Sequence, residues 1–240
     1  MMTVQTCHPT PFPPYVGKRF LSDGSVQTCE GNTVICHLPE HSVLYRALLD
    51  LRAEIQAQPY AYKYAFLPPQ SYHMTVFNGV LDSVRDPQQW PADLPLDASL
   101  QACTALFAEK LRNFTLPDLP PYRLRPASFG RHLGDGLVLN IAPLDDIENA
   151  RLRGLRDRLS EHLQMRFAGH EQYPFHITIA YLVQWLTPEE EAHSFALQDA
   201  FLGRWQAAQL SVSLGRPEFC VFQDMCFFDR QFYLRSMDHD

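Results

Sequence analysis

Apolar and polar positions along the chain alternate between two periods. Thr33 to Leu38 is a short apolar run that ends at Pro39, the pattern of a buried strand. From His41 to Ala57 the period changes: Val43, Leu44, Ala47, Leu48, Leu51 and Ile55 fall on one stripe spaced at 3.6 residues, which predicts a helix with one buried face. Tyr60 to Phe66 is rich in tyrosine, Pro68-Pro69 turns the chain, and Tyr72 to Val80 reads as a strand. Asp97 to Asn113 predicts a second helix, with Ala102, Leu106 and Leu111 among its apolar positions. The order then begins again. Leu137 to Ala142 is an apolar strand ending at Pro143, and a helix of about 18 residues follows with Ile147, Leu155, Leu159 and Leu163 near one face. Phe175 to Val183 is the next strand. Thr187-Pro188-Glu189-Glu190 is a capping box with proline at the first helical position, so a fourth helix opens there and runs to about Trp205. Two or three strands between Leu210 and Arg235 close the chain.

The recurrence has a ruler. Pro39 and Pro143 are 104 residues apart, and His73 and His176 are 103 apart. Each copy runs strand, proline, helix, loop, histidine-bearing strand, helix. The spacing predicts duplicated β-α-β units related by an approximate two-fold axis, with two equivalent strands meeting face to face. The expected organisation is an N-terminal extension over residues 1–29 and a single bilobal domain over 30–235, with halves at about 30–125 and 126–235. Residues 1–14, with Pro9, Pro11, Pro13 and Pro14, read as an extended arm.

Composition narrows the setting. A chain of 240 residues that is 46% hydrophobic and 20% charged can bury a substantial core. Its net charge of −7 argues against a partner that is long duplex nucleic acid, because phosphate neutralisation dominates that affinity. A nucleotide or a short RNA remains open as substrate. No apolar run reaches the roughly 20 residues of a membrane span, and no basic segment with an apolar core opens the chain, so the expected setting is cytoplasmic with no membrane partner. The six cysteines form no C-x-x-C pair and read as free structural thiols. No sequence feature fixes an oligomeric state.

The candidate chemistry sits on the two repeated strands. His73-Met74-Thr75 and His176-Ile177-Thr178 are both H-x-T motifs. Side chains alternate across a strand, so His73, Thr75 and Phe77 share one face, as do His176, Thr178 and Ala180, while Tyr72 and Tyr181 point the other way unless a bulge intervenes. His8-Pro9-Thr10 also matches the pattern but lies in the proline-rich arm. A lone strand histidine is most often structural, and strand threonine follows from β propensity alone. Two matched motifs at equivalent places in a repeat weigh against that explanation. Neither histidine has a second histidine or carboxylate two residues on, and zinc needs three or four protein ligands, so the expectation is no metal and no cofactor. Two imidazoles with pKa values near 6.5 can instead divide proton transfer at neutral pH, one as base and one as acid, while Thr75 and Thr178 donate to non-bridging phosphate oxygens. The near-equivalence of the two halves leaves the acid and the base unassigned.

These motifs resemble those of the 2H phosphoesterase superfamily. The likeness rests on Pro68-Pro69-Gln70-Ser71-Tyr72-His73-Met74-Thr75-Val76, on Tyr173-Pro174-Phe175-His176-Ile177-Thr178-Ile179-Ala180, and on the openings at Val34 to Pro39 and Val138 to Pro143; it covers roughly residues 30 to 235. The resemblance implies a two-lobed α+β fold with the motifs lining a central cleft. It implies a metal-independent phosphodiesterase acting on a 2′,3′-cyclic phosphate or a 2′,5′-type linkage of a nucleotide or short RNA, or an RNA 2′,5′-ligase-type activity run in the joining direction. A nucleotide-binding module without turnover is the third reading. By carry-over His73 and His176 are catalytic, and Thr75 and Thr178 hold the phosphate. The leader Tyr15-Val16-Gly17-Lys18-Arg19-Phe20 departs from compact members and resembles that of a bacterial subgroup of unassigned activity.

Further candidates are secondary. Phe77 shares the His73 face and could line the cleft or pack in the core. Arg123 and Arg125 share a strand face leading to Phe129, where a cation and an aromatic could bind phosphate and stack a base, though solvated surface arginines are the commoner explanation of such a pair. Lys18 and Arg19 could fold over the cleft, an option the sequence alone does not favour.

Overall fold

The computed structural model describes residues 10–131, 134 and 136–236. Cys7 and most of the arm, including His8 and Pro9, lie outside the described residues. The elements are β1 (Gly31–His37), α1 (Val43–Gln56), β2 (Tyr64–Phe66), β3 (His73–Leu81), α2 (Leu100–Arg112), β4 (Tyr122–Phe129), β5 (Leu137–Pro143), α3 (Asp146–Leu163), β6 (His176–Leu182), α4 (Pro188–Ala207), β7 (Val212–Leu214), β8 (Glu218–Asp224) and β9 (Phe227–Tyr233). They form an α+β fold of two antiparallel sheets, one ordered β3-β1-β8-β9 and the other β2-β6-β5-β4-β7.

The duplication is visible in the pairing. In the first sheet β1 runs antiparallel to β3, with His37 opposite His73; in the second β5 runs antiparallel to β6, with Asn140 opposite His176. The sheets do not follow the sequence halves at 125/126. Strand β4 crosses that point, and the C-terminal strands β8 and β9 return to pair beside β1. In the other direction β2, from the tyrosine-rich segment, crosses to the second sheet and pairs with β6. Leu67 N–H then donates to Ile179 C=O at 2.9 Å. This exchange ties the two histidine strands together across the sheets.

The helices begin where local chemistry starts them. Ser42, Ser99, Asp145 and Thr187 each accept from a backbone N–H in the first turn, which satisfies one of the donors a helix start leaves open. At Thr187 the capping box is complete, with Glu190 reaching back to the cap N–H. α1 buries Leu44, Leu48, Leu51 and Ile55, as its stripe predicts, but Val43 is exposed. α3 buries Leu152, Leu155, Leu159 and Leu163, whereas Ile147 is 71% exposed. Val43 and Ile147 both sit in a first turn, before the helix has settled onto its sheet. Cys29, Cys36, Cys103, Cys220 and Cys226 are free thiols, the first four buried. Among the described residues no helix is long and apolar enough to cross a membrane.

Candidate functional site

Both H-x-T strands carry a bulge at the same place. Ile35 faces Thr75 and Val34 faces Phe77, so Val76 is an extra residue on β3. Val138 faces Thr178 and Leu137 faces Ala180, so Ile179 is the extra residue on β6. A bulge lets two residues oppose one and resets which face the following side chains take. Phe77 is therefore fully buried against Phe167 and His170, not on the cleft as alternation predicts. The positions that reach the cleft are Asn78 and Tyr181, each five residues after its histidine. Tyr181 thus corrects the expectation that it points away; Tyr72 does lie buried off the cleft. Asn78 and Tyr181 keep the 103-residue offset, and that spacing is the signal that could have paired them.

The two imidazoles are fixed alike. His73 Nδ1 lies 2.7 Å from Ser71 C=O, and His176 Nδ1 lies 2.9 Å from Pro174 C=O, in both cases the carbonyl two residues back. A carbonyl only accepts, so Nδ1 carries the proton and Nε2 is left as the basic nitrogen of each neutral ring. Burial pushes the His73 pKa down to about 4, with the hydrogen bond to Ser71 opposing and the nearby His37 and His176 adding to the fall. His73 is therefore neutral at pH 7. Its ring packs on Phe228, centroids 4.2 Å apart.

His73, Thr75, His176 and Thr178 line one cavity of about 350 Å³ together with Asn78, Tyr173, Tyr181 and Phe228. The structure thus brings together the quartet predicted from sequence. The N-terminal extension contributes Tyr15 and Arg19 to the same cavity, whereas Lys18 is exposed and does not line it. Asn78 Oδ1 is buried with no hydrogen-bond partner among the described residues.

The other secondary candidates lie elsewhere. Arg123 is half-exposed and pairs with Glu148 at 3.0 Å, bracing the start of α3. Arg125 is exposed on β4 and does not line the cavity. Phe129 is buried against Phe201 of α4. A bulge is again the reason: Pro126 faces Ile141 while Ser128 faces Asn140, so Ala127 is extra and the buried face of β4 changes phase before Phe129.

Behind the cavity lies a buried cation. Arg156 of α3 donates from Nη1 to Val76 C=O at 2.6 Å, the carbonyl of the bulge residue, and its guanidinium lies 4.0 Å from the Tyr173 ring centre. Burial pushes its pKa down to about 10. On β6 the equivalent carbonyl, Ile179, is satisfied by the Leu67 N–H instead. Tyr173 is pushed up by burial and has Arg156, Thr75 and Arg19 among the groups around it. A cluster of His37, Glu218 and Cys220 places one potential metal ligand from each within 4.8 Å, but both Glu218 oxygens are already engaged, by His37 at 2.6 Å and by Arg230. None of the three lines the 350 Å³ cavity.

Residues 19–132 match the family described as "2H-phosphodiest: Domain of unknown function (DUF1868)". The crystal structure of a conserved protein of unknown function, ATU0111, from Agrobacterium tumefaciens is similar at 32% identity and a TM-score of 0.84, over 95% of this chain and 94% of that one. The crystal structure of TT0787 of Thermus thermophilus matches at 15% identity and a TM-score of 0.47, over 87% of this chain and 99% of that one. No curated protein matches the chain. From the family match, together with the near full-length likeness to the Agrobacterium protein, this chain belongs to the 2H phosphoesterase superfamily.

Proposed function

We propose that the protein is a metal-independent phosphodiesterase that hydrolyses a 2′,3′-cyclic phosphate or a 2′,5′-type phosphodiester of a nucleotide or short RNA. The observation that carries this reading is the pair of imidazoles lining one cavity, each with Nδ1 held by a backbone carbonyl, so that proton exchange falls to Nε2. His73, held neutral by burial, takes a proton from the attacking water. His176, entering as the imidazolium, gives its Nε2 proton to the leaving oxygen. Thr75 and Thr178 donate to the non-bridging oxygens, where charge builds in the transition state. Among the described residues lining the cavity there is no Asp, Glu or Cys to hold a metal there, which favours proton transfer between side chains.

The test offers 2′,3′-cyclic nucleotides in the presence of EDTA to wild type, His73→Ala and His176→Ala. Each substitution is expected to lower kcat by about 10²–10⁴-fold, with EDTA without effect. Loss of wild-type activity in EDTA would refute the metal-independent mechanism, and full activity in both variants would refute the site. Nucleotide binding with no turnover on a broad phosphodiester panel would make the protein a binding module.

A further inference from the structure

The cleft has a charge balance that the two histidines do not explain. Among the described residues that line it there is no carboxylate and one Lys or Arg, which is Arg19. This residue comes from outside the duplicated unit, on a turn closed by the Val16–Phe20 bridge and by the Phe20 C=O accepting from Gly17 N–H at 2.8 Å. Its Nη1 donates to Tyr181 Oη at 2.7 Å, and its guanidinium lies 4.6 Å from the Tyr15 ring centre and 5.3 Å from that of Tyr181. Burial opposes its charge, and Tyr181, Tyr15 and Cys29, none of them a carboxylate, act on it in the opposite sense. Besides this bond to Tyr181, Cys29 lies within hydrogen-bonding reach of the guanidinium.

A part-buried cation held by aromatics and facing a cavity lined, among the described residues, by no carboxylate is stabilised when an anion completes the site. We propose that Arg19 is the fixed cation that binds the phosphate group of the ligand in this cleft, so that the N-terminal segment completes the anion site opened by the two His-Thr pairs. The guanidinium is a planar fork: one nitrogen is spent on Tyr181, and the remaining donors can take phosphate oxygens. Arg19 and the Thr75 hydroxyl assigned to the same anion line one cavity. The proposal rests on the phosphodiesterase reading for the identity of the anion, and its test separates the two.

Inorganic phosphate is titrated calorimetrically into the full chain as wild type, Arg19→Gln, Arg19→Lys and Lys18→Gln, with melting curves for each. KM and kcat are then measured on a 2′,3′-cyclic nucleotide. Arg19→Gln should weaken phosphate binding about tenfold or more and raise KM in proportion, with a smaller effect on kcat. Arg19→Lys should recover part of the loss, and Lys18→Gln, an exposed neighbour on the same turn, should match wild type. Phosphate affinity indifferent to Arg19→Gln, or an equal loss in Lys18→Gln, would overturn the proposal. If Arg19→Gln melts early, Arg19→Lys decides: retention of charge-dependent binding supports the role, and affinity as low as in the Gln variant overturns it. Arg19-dependent phosphate binding without turnover of any phosphodiester would leave this inference standing and remove the enzymatic one. Turnover with Arg19-independent binding would do the reverse.

Discussion

Replacing His73 by Asn should change both catalysis and the way stability depends on pH. In the folded chain burial brings this imidazole from 6.5 to about 4. Between those values the unfolded chain holds more protons than the folded one, so stability rises with pH through that window and is level above 6.5. At 1.36 kcal/mol for each tenfold in proton affinity, the gap amounts to about 3 kcal/mol, lost as pH falls from 6.5 towards 4. Asn carries no titrating group, so His73→Asn should lack this component. The assay is urea unfolding at pH 4.5, 5.5 and 7.0 for both proteins. The stability of wild type relative to the variant should fall by about 2 kcal/mol or more over the range, by the same linkage. Parallel curves would show that His73 titrates normally, and would also withdraw its assignment as the base. The kinetic counterpart is an acid limb of wild-type kcat/KM near pH 4. An acid limb near 6.5 would contradict the same reasoning.

Two substitutions test the scaffold. Thr187→Ala removes the side chain that accepts from Glu190 N–H at 3.2 Å, and with it half of the α4 capping box; a loss of about 1 kcal/mol in chemical denaturation is expected, and no loss would mean the cap is replaced by solvent. Gly79→Ala would drive a Cβ into the backbone carbonyl of Asn32 on β1; destabilisation of about 3 kcal/mol is expected by thermal or urea unfolding, and a neutral effect would show that this strand pair can yield.

What the sequence revealed and what it hid divide along one physical line. Helix starts are written locally: a serine, aspartate or threonine side chain reaches an N–H two or three residues on, and the capping box at Thr187 is legible in four letters. The H-x-T motifs are equally local, and their 103-residue spacing exposed the duplication. A bulge is decided by the partner strand, hundreds of atoms away in the chain, so strict alternation misplaced Phe77, Phe129 and Tyr181 for a single reason. Arg19 was hidden for a related cause. Its contact with Tyr181 spans 162 residues, and nothing in Lys18-Arg19 announces which of the two cations turns inward.

The turn that carries Arg19 also gives the cleft a polarity. A site built by duplication is degenerate: a phosphodiester turned end for end meets the same two imidazoles and the same two hydroxyls, with attacking and leaving oxygens exchanged. The two-fold operation that swaps His73 with His176 also swaps Asn78 with Tyr181, and only Tyr181 is covered, by Arg19 from outside the repeat. One orientation of a substrate therefore meets a cation and the other an amide. Two halves that share their chemistry become distinguishable through a segment that belongs to neither.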